Sequence, residues 1–173
     1  YIFFQVQYHD WDSPLSEKIN QYRATLIRLL KTEFKDQFCG GMWFKNQAVP
    51  NYEDCLTNID TDYSNYNRFL KNASIVISTE GFGNSIPWKL VEYMENGRCI
   101  VSQQNEHNFR YPIDNDAISN FKTPKECVEL CKNLLNDNEK IIMMGDKSFS
   151  YYENNIKPIM VMKQILNESM GLA

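Results

Sequence analysis

The stretch Ala73-Ser-Ile-Val-Ile-Ser-Thr-Glu-Gly-Phe-Gly-Asn-Ser-Ile-Pro-Trp-Lys-Leu-Val-Glu-Tyr-Met-Glu-Asn-Gly-Arg-Cys-Ile-Val-Ser102 reads as strand, glycine-bearing loop, helix and strand. The apolar, β-branched run at 74–79 suits a strand buried on both faces. Pro87 stands where a first helical position is expected, because its missing N–H has no intrahelical partner there. Gly97 ends the helix, and Cys99-Ile-Val-Ser102 opens the next strand. In an open parallel sheet, ligands lie outside the carboxyl ends of the strands, where loop N–H groups and the positive end of the next helix face solvent. The loop at 80–86 occupies that place.

The helix after the loop carries a local conflict. At 100° per residue, Leu90, Val91, Tyr93 and Met94 form one apolar arc, while Lys89, Glu92, Glu95 and Asn96 fall on the other side. Lys89 is in the first turn, where a cation opposes the helix macrodipole at a cost of about 0.3–1 kcal/mol. An anion over the helix start would turn that liability into a contact. Glu92, three residues on, shares the same exposed edge and offers a carboxylate that can accept two ribose hydroxyls. The competing reading is a weak, solvated Lys/Glu pair.

Residues 84–102 resemble the donor-binding segment of GT-B-fold glycosyltransferases, which reads P-x-K-x-x-E-Y-x-x-x-G followed by a β-branched strand. The resemblance implies an α/β fold: a Rossmann-like parallel sheet flanked by helices, the C-terminal half of a GT-B architecture. It implies a nucleoside-diphosphate sugar as donor substrate, with no further cofactor and no metal. It implies transfer of the sugar to an acceptor hydroxyl, in bacterial surface polysaccharide synthesis. Carried over by position, Glu92 accepts the ribose hydroxyls, Lys89 faces the diphosphate and stabilises the leaving group, and Gly83, Asn84 and Ser85 contact phosphate and donor sugar. One position departs. Many retaining members have a second glutamate eight residues before the ribose acid, where this chain has Asn84; Glu80 lies four residues too early unless the loop bulges.

Less specific signals extend the reading along the chain. Residues 1–7 form a first strand, and Ser13-Pro14 caps a helix over Pro14–Phe34, in which Ile19, Tyr22, Leu26, Leu29, Leu30 and Phe34 keep helical spacing. Residues 38–44 resemble the second strand of these transferases, with Gly40 and Gly41 marking close backbone approach. A short helix over Tyr63–Asn72 feeds the central strand. A small apolar group at 117–121 precedes Thr123-Pro124-Lys125-Glu126, which starts a helix through Leu135. Helices over 138–152 and 157–170 complete the pattern. Strands alternating with helices mean a parallel α/β sheet, and 173 residues without a Pro/Gly/Ser-rich linker mean one domain. The start at Tyr1, inside a strand, leads us to expect a missing N-terminal Rossmann-like domain as partner in a two-domain protein.

Composition narrows the classes. A net charge of −4 leaves no basic stripe for nucleic acid, and no apolar run approaches the ~20 residues of a membrane span. Cys39, Cys55, Cys99, Cys127 and Cys131 lack a C-x-x-C pair, which points to reduced thiols and a cytoplasmic protein, at the inner membrane face if the missing half brings it there. Cys127 and Cys131 read as helix packing. His9, after the first strand, and Arg23, on the first helix, are further candidates for the cleft, as an arginine is in some exostosin-like transferases; Arg23 on a solvated face is the alternative. Asp10 and Asp12 read as turn and capping residues, and His107 stands far from His9. Trp88 and Tyr151-Tyr152 are the aromatics placed to meet a sugar, although for Trp88 packing beneath the neighbouring loop is the favoured reading. The rival functions are a non-catalytic α/β nucleotide-binding or interaction module and half of a sugar-nucleotide epimerase.

Overall fold

In a computed structural model of the chain, residues 1–10, 12–44, 51–105 and 109–171 are described. Five strands, β1 (Ile2–Gln7), β2 (Phe38–Trp43), β3 (Ile75–Ser78), β4 (Cys99–Gln103) and β5 (Ile118–Phe121), pair in parallel in the order β2-β1-β3-β4-β5. The helices are α1 (Pro14–Phe34), α2 (Tyr63–Asn72), α3 (Trp88–Glu95), α4 (Pro124–Leu135), α5 (Asn138–Tyr151) and α6 (Pro158–Ser169), with a π-helical segment Tyr152–Ile156 before the last. The fold is a Rossmann-like α/β sheet, parallel as the alternating pattern predicts.

Strand alternation builds two cores. Ile2, Phe4, Ile75, Ile77, Cys99 and Val101 pack under α1 and α4, whereas Phe3, Val76, Ile100 and Ile118 pack under α2 and α3. Cys127 and Cys131 are buried in the first core, as packing requires. Side-chain caps set the helix starts: Ser13 accepts from the Ser16 N–H at 3.1 Å, Asp62 from Asn65 at 3.0 Å and Thr123 from Glu126 at 3.3 Å. Gly40 and Gly41 are needed where β2 crowds its neighbours. A Cβ on Gly40 would stand 2.0 Å from the Phe4 carbonyl oxygen, and one on Gly41 2.6 Å from that of Cys55.

Local expectations are corrected at three points. Pro87, with φ −72° and ψ 138°, caps α3 from outside, so the first helical residue is Trp88. Trp88 is 88% exposed and does not pack beneath the loop, because α3 turns its Leu90, Tyr93 and Met94 side to the sheet. Tyr151 and Tyr152 are buried, closing the second core; their hydroxyls donate to the Tyr111 carbonyl at 2.6 Å and to Glu95 at 3.1 Å. They present no face for a sugar. His107 lies outside the described residues.

Candidate functional site at the strand switch point

The chain leaves β1 toward β2 on one side and later returns to β3 on the other. This reversal puts the switch point of the sheet between β1 and β3. These strands pair only at Ile2↔Ile75 and Phe3↔Val76, although β1 runs on to Gln7 and β3 to Ser78. Beyond Phe3 and Val76 they part, and two cations from opposite faces enter the gap.

Arg23 comes from α1 and is buried. Its Nη1 donates to the Gln7 carbonyl at 2.9 Å, its Nη2 to the Glu80 carbonyl at 3.1 Å and its Nε to Thr79 Oγ1 at 3.3 Å, clipping the ends of β1 and β3 together. The expected alternative, a solvated helix face, is excluded. Burial pushes its pKa down to about 10, so the guanidinium stays charged at neutral pH.

Lys89 comes from α3. It is not on the exposed edge that a helical wheel assigns it: its four-methylene stem turns inward, and Nζ donates to the Gln5 carbonyl and lies 4.9 Å from the centre of the Tyr66 ring. Burial, only partly offset by Glu92 and reinforced by Arg23, brings its pKa down to about 8. Among the described residues, neither Arg23 nor Lys89 forms an ion pair.

Two polar side chains missed by sequence reasoning share this gap. Gln5 and Ser78 stand two residues beyond the last β1–β3 pair, on the face that α3 covers, and are 1% and 3% exposed. Gln5 Nε2 and Ser78 Oγ have no hydrogen-bond partner among the described residues. A buried polar group without a partner costs about 1–3 kcal/mol, a cost that a polar ligand in the gap would remove. The legible signal was a glutamine inside the apolar run Ile-Phe-Phe-Gln-Val-Gln.

The remaining candidates surround the gap. Glu92 is exposed and accepts a 3.0 Å hydrogen bond from the hydroxyl of Tyr66, the same ring that underlies Lys89. Gly83 and Asn84 both have positive φ, 66° and 61°, and the loop closes through Gly81 N–H to the Ser85 carbonyl at 2.9 Å. Gly83, Asn84 and Ser85 are therefore exposed at the α3 start, though the Asn84 and Ser85 carbonyls accept from Asn105 on the β4 side. His9 exchanges hydrogen bonds with Asn20 and meets Phe82 edge-on at 5.9 Å; burial first, then Arg23, lowers its pKa. Glu80 is turned away. Its carboxylate accepts from Gln103 at 3.1 Å and its N–H donates to the same side chain at 3.2 Å, so the loop does not bulge it toward position 84.

No protein-family model matches the chain, and no curated protein matches it either. Among the described residues no group of three or more His, Cys, Asp or Glu side chains could hold a metal ion, and no helix is long and apolar enough to cross a membrane.

Proposed function

We propose that the chain is the donor-binding half of a GT-B-fold glycosyltransferase, moving a sugar from a nucleoside-diphosphate sugar to an acceptor hydroxyl in bacterial surface polysaccharide synthesis. One observation carries the reading: Arg23 and Lys89, neither of them in an ion pair among the described residues, come together at the switch point by the glycine loop, with Glu92 exposed one turn along α3. A diphosphate at the gap meets positive charge and the N-terminal end of α3, while Glu92, steadied by Tyr66, accepts the ribose hydroxyls. As the glycosidic bond breaks, negative charge grows on the leaving diphosphate. Lys89 and the main-chain N–H groups at the helix start are already in place to stabilise it, an effect worth about 3–4 kcal/mol where one such donor has been removed from an enzyme. The acceptor and any general base come from the second Rossmann-like half.

Calorimetry on the isolated chain tests the assignment. Uridine or guanosine diphosphate and inorganic pyrophosphate should all bind. Glu92→Ala should weaken the nucleotides about tenfold, the loss of roughly one charge-assisted hydrogen bond, and leave pyrophosphate unchanged. Lys89→Met should weaken every ligand, most at low salt, where a phosphate contact is least screened. Equal losses for both ligand types in Glu92→Ala would sink the ribose role.

The second reading is a non-catalytic nucleotide-binding module. It is favoured by the way Arg23 and Lys89 already donate to main-chain carbonyls, so that they also brace the sheet. A chain that binds nucleotide but gives no transfer when rejoined to its N-terminal half would decide for it.

A further inference from the structure

We infer that the cavity beyond α3, at the carboxyl ends of β4 and β5, is a second ligand site that takes a neutral, polyhydroxylated ring of the pyranoside class. The inference does not rest on the transferase reading, since none of Gln5, Arg23, Ser78 and Lys89 lines the cavity. Its volume is about 630 Å³, within the ~300–1,000 Å³ usual for small-ligand pockets.

The lining has the chemistry of a sugar site. Ser102 and Asn120, register partners on β4 and β5, contribute a hydroxyl and an amide, with Ile118 and Leu90 apolar beside them and Phe109 and Tyr111 along the wall. Hydroxyls and amides both donate and accept, as ring hydroxyls do, while apolar and aromatic side chains suit the C–H groups of a pyranose.

Charge separates this cavity from the gap. Arg110 at its rim is held by Glu168 of α6, and Asp114 by Lys147 at 3.0 Å. Glu80 adds a carboxylate held by Gln103. Among the described lining residues the one cation, Arg110, is already paired and the carboxylates of Glu80 and Asp114 disfavour a phosphate, whereas a neutral ring can use the amides.

The described wall is held at two points. Asn105 Nδ2 donates to the Asn84 and Ser85 carbonyls at 2.8 and 3.2 Å, and the Tyr151 hydroxyl anchors the opposite wall at the Tyr111 carbonyl. Groups held before binding reduce its ordering cost.

Saturation-transfer NMR and calorimetry with neutral methyl pyranosides of glucose, galactose, mannose and N-acetylglucosamine provide the test. At least one should bind, with an affinity unchanged by saturating pyrophosphate. Asn120 is exposed, so its variants should fold: Asn120→Ala should weaken binding about tenfold, one lost hydrogen bond, and Asn120→Trp should abolish it by filling the cavity. Melting temperatures within a few degrees of wild type, given the exposed position, would exclude misfolding as the cause. The inference is overturned if none of the four binds, if pyrophosphate displaces the sugar, if both Asn120 variants bind normally, or if a cationic amino sugar binds and the neutral sugars do not.

Discussion

Lys89 illustrates how far one side chain can depart from its helical wheel. A wheel fixes the direction of Cβ, and for Glu92, which is short, that direction was sufficient: it is exposed, as its spacing predicts. For lysine the charge sits four methylenes further on, and here it passes over the Tyr66 ring to a β1 carbonyl. Its depressed pKa, about 8 against 10.5 in an unfolded chain, has two consequences. Below pH 8 the lysine is charged in both states and folding bears the full desolvation cost. Between about pH 8 and 10.5 the unfolded chain binds more protons, so stability rises with pH. Wild type should gain stability from pH 8 to 9.5 in urea unfolding, and Lys89→Met should lack that gain while being the more stable protein at pH 7. Ligand binding should run the other way. An anion needs the charged lysine, so pyrophosphate affinity should fall as pH rises through 8, and proton uptake should appear as a buffer-dependent binding enthalpy. Affinity independent of pH from 7 to 9.5 would remove Lys89 from the site.

Among the elements, boundaries written by capping chemistry were the most legible in the sequence. Helices α1 and α4 begin at the prolines that follow Ser13 and Thr123, and α3 stops just before Gly97, with Asn96 between them. That end is a paired cap: Gly97 N–H donates to Met94 and Arg98 N–H to Tyr93, both at 3.0 Å, with Gly97 at φ 59°. Less legible was what packs on it. Gly145 of α5 lies so close that a Cβ there would stand 2.5 Å from the Gly97 carbonyl oxygen. Nothing in the sequence near Gly145 signals this, because the constraint comes from a residue 48 positions away. Gly145→Ala is therefore a sharp test. Helix propensity alone predicts a gain of about 1 kcal/mol; the steric clash predicts a net loss of about 1–3 kcal/mol. Gly97→Ala should cost about 1 kcal/mol through its backbone alone, since its Cβ would meet only ordinary contacts at 3.6 Å or beyond. Urea midpoints of both variants would rank the two effects.

At the scale of the whole molecule, alternating strands and helices were enough for the α/β class, but the sheet order and the parting of β1 from β3 were not in the pattern. Pairing depends on partners far apart in sequence, and the polar residues that line the gap and the cavity, Gln5, Ser78, Ser102 and Asn120, look like interruptions until the register aligns them. The same view separates what holds the fold from what is attached to it. Every strand contributes buried side chains to the two cores, whereas α6 contributes none, and its Ile159, Met162, Ile165 and Leu166, with Met170 just after it, are all at least half exposed. Its tether to the wall of the cavity is an exposed Arg110–Glu168 pair, worth about 0–1 kcal/mol. Removing residues 158–173 should therefore cost less than about 2 kcal/mol in urea unfolding, well below the ~2–5 kcal/mol expected of Leu26→Ala at a fully buried site of α1. The shortened chain should also bind less of a hydrophobic dye, because an exposed apolar stripe has gone with the helix. A loss as large as that of Leu26→Ala would mean that α6 belongs to the cooperative core despite its exposure.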